Sequence, residues 1–388
     1  MKTLKDFNVK SKRVLLRCDF NVPLDEKGNI QDAFRIEQTV PTIKYLIKNK
    51  AKVILMSHLD SPEGKVVESL RVMPIQKKLT EYLGLSVIKA SDCIGKEIEK
   101  QTLAMKEGEV LLLENLRFHK EEEDNDSEFA KELAKLGDFY INDAFGVSHK
   151  KHASIAEISK CLPSGAGFLL EKEVKVLSRV LEKPRRPLVI IMGGAKISNK
   201  IKVIKQFLKK ADHLLIGGKI ANTILIVKGI SVGRPWPSEE TVKEIEKFKL
   251  TSINFHLPVD AVASPDKTGK IYIRDSALGK VRKDELVLDI GPETINMFSK
   301  IIKEAKMIVW SGPMGFFEEP LFEKGTKEIA EKIVRNYNAY KIVGGGDTLF
   351  AISKFGLREK FDHVSTGGGA MLHFLSGEKL PGLKVLEQ

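Results

Sequence analysis

Short apolar runs alternate with amphipathic stretches along almost the whole chain, and this alternation limits its fold more than any other feature. The runs fall at residues 13–20, 53–57, 87–89, 110–114 and 139–142, and again at 188–192, 213–216, 254–257, 307–310, 341–343 and 364–365. Each is apolar almost without a break. A strand covered on one face alternates apolar and polar side chains, whereas a strand covered on both faces need not. The runs therefore predict strands buried between helices. Intervening segments such as 36–48 and 74–83 carry the apolar spacing of helices packed along one side. Strand–helix alternation of this kind predicts an α/β fold of parallel sheets wound on both faces.

A chain of 388 residues is too long for one ordinary core, so two domains are expected. Residues 171–181 read as one amphipathic helix, and Lys183-Pro184-Arg185-Arg186-Pro187 reads as a break. This predicts an N-terminal domain over 1–170, a connecting helix over 171–183 and a C-terminal domain over 184–370. A tail over 371–388, containing Pro381-Gly382, is expected to pack back on the first domain. Apolar residues make up 42% and charged residues 30%, as in a globular protein. No apolar run approaches the roughly 18 residues that span a bilayer. The N-terminus lacks the apolar core of a signal peptide. Cys18, Cys93 and Cys161 form no CxxC pair, which suits a reducing cytoplasm and argues against a zinc site or a disulfide frame. The net charge of +12 is carried partly by dispersed lysines such as Lys202, Lys205, Lys209 and Lys210, as on solvated helix faces, and names no partner.

In doubly wound sheets, ligands sit at the carboxyl ends of strands. In the second half almost every such end carries glycine: Gly193-Gly194, Gly217-Gly218, Gly312 and Gly315, Gly344-Gly345-Gly346, and Gly367-Gly368-Gly369. Glycine lets backbone amides approach a phosphate, and the next helix N-terminus adds a favourable dipole. One such turn is ordinary βα geometry, but the repetition predicts a nucleotide-sized anion site. None matches the Walker or the GxGxxG pattern. Lys196 and Lys200 flank the start of a helix, where a cation opposes the dipole unless it faces an anion. Asp347 opens another helix, either as a cap or as a ligand for Mg²⁺ beside a polyphosphate.

The first half offers a different chemistry. A strand ends in Asp19 and Asn21, and Arg35, His58, Arg117, His149, Lys150, Lys151 and His152 fall in or beside strand-end loops. Taken singly, such residues are usually structural. Gathered on one edge, they would form a basic pocket for a small phosphorylated carboxylate. No Ser-His-Asp or Cys-His set is suggested, and phosphoryl transfer needs none.

The segments RVLLRCDFNVPL, SHL, ENLRFH, NDAFG, GGAKISNKI, LPVD, DIGPET, W-x-GPMG-x-FE, VGGGDT and STGGGA, read in order, resemble the motifs of the phosphoglycerate kinase family. The resemblance implies two Rossmann-like domains joined by a hinge helix. The N-terminal domain would hold 3-phosphoglycerate or 1,3-bisphosphoglycerate, and the C-terminal domain Mg-ATP or Mg-ADP. The implied reaction is reversible, Mg-dependent transfer of a phosphoryl group between 1,3-bisphosphoglycerate and ADP, a step of glycolysis. The family further implies a cytoplasmic, hinge-bending monomer with no nucleic-acid or membrane partner. Carried over by position, Asp19 and Asn21 meet the substrate's hydroxyl and carboxylate region, and Arg35 the transferring phosphoryl group. His58 and Arg117 meet the fixed phosphate, Lys196 and Lys200 the transferred and terminal phosphates, and Glu318 the ribose. Gly345, Gly346, Asp347 and Thr348 cradle the nucleotide phosphates, with Asp347 on the metal. Arg35, Lys196 and Lys200 are the implied catalytic set.

Four positions depart from the family pattern. Ser61 and Lys150 replace arginines of the substrate pocket, Ser311 replaces an asparagine near the nucleotide, and His373 replaces a glutamate. A charged hydrogen bond contributes about 1.5–3 kcal/mol, so losing one outright would weaken affinity roughly ten- to a hundredfold. Lys150 keeps the charge but not the bidentate fork, and Lys151 stands beside it. These departures leave open a kinase for another carboxylate. A nucleic-acid-binding protein on the same scaffold is disfavoured by 7% aromatic residues and the lack of a stacking motif.

Overall fold

The computed structural model describes residues 1–195, 197–247 and 252–387. The chain divides into two compact units, Met1–Lys175 with Lys379–Gln388, and Val176–Glu378.

The first unit is built on six strands: β1 (Arg13–Arg17), β2 (Lys52–Met56), β3 (Val87–Lys89), β4 (Val110–Leu112), β5 (Phe139–Asn142) and β6 (Ser164–Ala166). They pair in the order β3-β4-β2-β1-β5-β6, every pair parallel. Val14, Leu16, Val53, Leu55, Val110 and Leu112 join Ile36, Ile43 and Leu46 of the helix Phe34–Lys48 in one core, with Ile75 and Leu79 of Met73–Leu83. Parallel strands need such cover on both faces, which is why they read as unbroken apolar runs. β6 was not foreseen. Its sequence Ser-Gly-Ala has neither branched nor bulky side chains, and it is a strand because β5 pairs with it.

The second unit contains β7 (Leu188–Met192), β8 (His213–Ile216), β9 (Val232–Arg234), β10 (Phe255–His256), β11 (Asp260–Ser264), β12 (Arg274–Ala277), β13 (Val281–Ile290), β14 (Met307–Ser311), β15 (Tyr340–Val343) and β16 (His363–Val364). Six of them form a parallel sheet in the order β10-β8-β7-β14-β15-β16. The other four form a second sheet, β12-β11-β13-β9, in which β11 runs antiparallel to both neighbours. The apolar runs gave no sign of this sheet. The first half of β13 reads Val-Arg-Lys-Asp-Glu, with three exposed residues in succession and no two-residue period.

The helix Phe168–Glu182 begins in the first unit and ends in the second. It starts three residues before the expected segment because Asp143, just past β5, accepts the Leu169 and Leu170 N–H groups through one oxygen, at 2.8 and 3.2 Å. Those are orphan donors of the first turn, which a side-chain acceptor satisfies. At the other end of the chain, Gly382 N–H donates to Ser148 O and Asn142 Nδ2 donates to Gly382 O, at 2.9 and 3.3 Å, within the first unit. The helix Gly368–Leu375, by contrast, packs on Ser198–Phe207 in the second.

Candidate functional site

In the second unit the glycine turns line the carboxyl edge of the parallel sheet. Lys200, third residue of the helix Ser198–Phe207, is 6% exposed, and its ammonium donates to Gly193 O. Room for it is made by glycine. A Cβ on Gly194 would stand 2.8 Å from Lys200 Nζ, and one on Gly312 would stand 2.9 Å away. Both glycines also have positive φ, +77° and +96°, which a side chain would strain. Gly345 lies against Gly368, whose Cβ would meet Gly345 Cα at 2.6 Å. Thr348 is buried, and its Oγ1 accepts the Gly312 N–H at 2.6 Å, tying the β14 turn to the helix Gly346–Lys354.

These turns open on a cavity of about 390 Å³, within the range that holds small ligands. Gly194, Gly218, Asp347 and Glu318 line it, with Ile226, Val232, Leu286 and Leu288. One part is thus made of backbone amides and helix N-termini, suited to phosphates, and another is apolar, suited to a flat base. The unforeseen sheet lies beside the cavity. Asp260, at the start of β11, accepts the Glu293 and Thr294 N–H groups at 2.9 and 2.8 Å. Asp289, near the end of β13, accepts the Gly325 N–H at 2.6 Å, and burial pushes its carboxyl up to about 7.

The first unit gathers the expected polar residues around the carboxyl ends of β1, β2 and β4. Arg35 Nη1 donates to Asn21 O at 2.8 Å and lies 3.4 Å from Asp19 Oδ1. Asn21 Oδ1 accepts the Asp60 N–H at 2.9 Å. Arg117 Nη1 donates to Asp60 O at 2.7 Å and to Ser61 Oγ at 3.2 Å. Ser61 Oγ therefore serves as an acceptor for Arg117. His58 is buried, and its Nδ1 faces Arg17 Nη2 at 3.4 Å. Desolvation, with the charges of Arg17, Arg117 and Arg35, holds His58 far below its ordinary pKa, so the ring is neutral. With Nδ1 facing a guanidinium that can only donate, the proton belongs on Nε2. His152 is held neutral by the same forces, at about 3. Lys150 and Lys151 are exposed.

The phosphoglycerate kinase family model matches residues 4–378. The chain belongs to the phosphoglycerate kinase family. A phosphoglycerate kinase from Dictyoglomus turgidum is 49% identical over 390 residues, covering 99% of this chain and 98% of the relative. Another, from Thermomicrobium roseum, is 44% identical over 100% of this chain and 99% of the relative. Among solved structures, the phosphoglycerate kinase of Coxiella burnetii matches with a TM-score of 0.86 at 36% identity, covering 100% of this chain and 98% of that one. The enzyme from Pyrococcus horikoshii matches with a TM-score of 0.87 at 32% identity, covering 100% and 98%. The chain is accordingly a kinase of phosphoglycerate, with ATP and ADP as co-substrates.

Set against the phosphoglycerate kinase expectations, Asp19, Asn21, Arg35, His58, Ser61 and Arg117 stand together in the first unit. Lys200, Gly345, Gly346, Asp347, Thr348 and Glu318 stand at the glycine edge and cavity of the second. Lys196 lies outside the described residues. Asp347 occupies the second position of its helix, after the cap Gly345. Several residues escaped the sequence reading. Arg17 is 1% exposed; its Nε donates to Ser154 Oγ at 2.7 Å, and Ser154 in turn donates to Glu122 at 2.6 Å. Its only signal was a lone arginine closing an apolar run. Lys219 and Lys267 line the cavity, but among so many lysines nothing in the sequence marked them.

Proposed function

We propose that the first unit binds 3-phosphoglycerate and the second binds Mg-ATP, and that the residues named above carry the reaction in the roles their family positions imply. His58 Nε2–H and the Arg117 guanidinium hold the fixed phosphate, and Asp19 and Asn21 orient the hydroxyl and carboxylate end. In the ATP-consuming direction a carboxylate oxygen of 3-phosphoglycerate attacks the terminal phosphorus. The new O–P bond forms as the bond to the β-phosphate oxygen breaks, giving 1,3-bisphosphoglycerate and ADP. No protein nucleophile or base is required, because the acceptor is already an anion. What the chain must supply is position and positive charge for the three equatorial oxygens. Arg35, Lys196 and Lys200 supply that charge in this reading. Ser61 and Lys150 leave the phosphate pocket with fewer bidentate donors, so phosphoglycerate binds less tightly than with arginine at both places.

The residues present fit Mg²⁺. Asp347 is an exposed carboxylate lining the cavity beside backbone amides, and nothing lies within 4 Å of where a Gly346 Cβ would be. One carboxylate with open space for phosphate oxygens and water is what Mg²⁺ takes. The bound ion would draw negative charge from the β- and terminal phosphates, with Asp347 as its protein ligand. The two half-sites must meet for transfer. The helix Phe168–Glu182, which runs from one unit into the other, is the hinge of this proposal. The enzyme works as a cytoplasmic monomer in this reading. Among the described residues no helix is long and apolar enough to cross a membrane.

The observation that carries this reading is Lys200, a buried cation cradled by Gly194 and Gly312, of which Gly194 lines the cavity. Its interaction is expected to strengthen as the phosphoryl group leaves, so Lys200→Ala should lower kcat by about a hundredfold or more and change ADP affinity by less than about fivefold. Losses of equal size in kcat and in calorimetric ADP affinity would contradict the role.

A further inference from the structure

Cys93 lacks a cysteine partner in sequence, yet the fold gives it other metal-binding neighbours. β3 and β4 are adjacent and parallel, so the loops leaving their carboxyl ends run side by side. The first loop carries Asp92 and Cys93. The second carries His119, just after the turn Leu116–Phe118. His119 Nε2 lies 2.7 Å from Asp92 Oδ1, and the Cys93 N–H donates to the same oxygen at 2.6 Å. One carboxylate oxygen, one imidazole nitrogen and the Cys93 sulfur all lie within 4.8 Å of one another, the sole such trio among the described residues. Phe129 packs beside the imidazole, with ring centres 5.3 Å apart.

We propose that Asp92, Cys93 and His119 form a binding site for a divalent cation of the zinc class, separate from the nucleotide and phosphoglycerate sites. Thiolate, imidazole and carboxylate together select a borderline-soft ion, whereas Mg²⁺ and Ca²⁺ prefer oxygen alone. Three protein ligands leave a fourth position for water, and the Asp92 side chain, 49% exposed, gives the ion a path from solvent. Cys93 is fully buried, and burial favours its neutral thiol. On binding, the thiol proton leaves to solvent as the sulfur–metal bond forms. His119 Nε2 turns its lone pair to the metal, and the hydrogen it shares with Asp92 passes through solvent to Nδ1, so the ring stays neutral. The bound dication thus takes the place of the thiol proton and of the His119–Asp92 hydrogen bond. The site would clip two loops of the first unit together, two residues beyond Arg117.

The test uses the full chain, stripped with a chelator, desalted and kept reduced with a phosphine. Titration with Co²⁺ should produce a thiolate-to-cobalt charge-transfer band that saturates at one ion per chain and is abolished by added Zn²⁺. Cys161→Ser, which alters the exposed cysteine, should keep the band; Cys93→Ser should lose it. Asp92→Asn and His119→Gln, at partly exposed positions that do not threaten folding, should each weaken Co²⁺ binding at least tenfold. Absence of the band in the unaltered chain overturns the proposal. So does a band that survives Cys93→Ser, or Co²⁺ affinity unchanged in both Asp92→Asn and His119→Gln, which decides the matter even if Cys93→Ser does not fold.

Discussion

Replacing Asp143 by asparagine should flatten the pH dependence of stability in the first unit. Asp143 is fully buried; one oxygen accepts two N–H groups at the start of the helix Phe168–Glu182, and Oδ2 has no hydrogen-bond partner. Burial raises its carboxyl from an ordinary 3.8 to about 7, against the pull of Thr42 and the Leu169 and Leu170 N–H groups. A raised carboxyl pKa means that between about pH 4 and pH 7 the folded state holds a proton that the unfolded state has lost. Stability must then fall as pH rises through that window and level off above it. From pH 5 to pH 8 the loss is roughly 3 kcal/mol, since two units of unequal proton binding at about 1.4 kcal/mol each are surrendered. The asparagine side chain would keep the oxygen that receives the helix N–H groups and would not titrate. Its NH₂ group would leave a buried donor unpaired, a pH-independent cost of about 1–3 kcal/mol. Urea unfolding followed by circular dichroism at both pH values, with hydrogen exchange of peptides spanning residues 139–175 to localise the effect, gives the comparison. The variant should be the weaker protein at pH 5 and close the gap, or cross over, by pH 8. Parallel pH profiles for the two proteins would refute the reasoning.

Two other substitutions test the two half-sites. Thr348→Val keeps the shape of the side chain but removes the acceptor of the buried Gly312 N–H, so thermal unfolding of the second unit should show a loss of about 1–3 kcal/mol, with 3-phosphoglycerate affinity unchanged. An unaltered melting transition would show that this bond does not hold the turn. Ser61→Arg should lower the KM for 3-phosphoglycerate by a few-fold at low salt and leave that for ATP alone. The gain is held down because the new guanidinium stands beside Arg117, whose Nη1 now donates to Ser61 Oγ. A KM that stays the same or rises would mean that the pocket is built around other residues and would favour a different acceptor.

How far the sequence could be read depended on what each residue answers to. Strands of the two parallel sheets were legible because they are buried on both faces, and β3, β5, β7 and β8 lie at their expected bounds. The sheet of β9, β11, β12 and β13 was not, because Arg274-Asp275-Ser276-Ala277 and the charged start of β13 are strands by pairing and not by composition. The same sheet contributes Leu286 and Leu288 to the cavity, so the apolar wall went unseen while the glycine edge stood out. In the first unit, Asp19 and His58 were visible as polar residues at strand ends, and Arg35 as a cation at the start of the helix Phe34–Lys48. Arg17 closes β1, and only the fold shows that its guanidinium bridges Ser154 and His58. Likewise the cysteine spacing could not show the Asp92, Cys93 and His119 trio, because Cys93 and His119 become neighbours only through the pairing of β3 with β4.

The most direct test of the central claim is the initial rate of ADP formation by the purified chain with ATP, Mg²⁺ and 3-phosphoglycerate, set beside the same mixture with each component left out in turn and with glycerate or acetate in place of the acceptor. The account predicts turnover that requires ATP, Mg²⁺ and 3-phosphoglycerate together and falls to background with the unphosphorylated carboxylates, because it assigns His58 and Arg117 to the fixed phosphate. Turnover that proceeds equally well with acetate or glycerate, or no turnover above background with 3-phosphoglycerate, would contradict it.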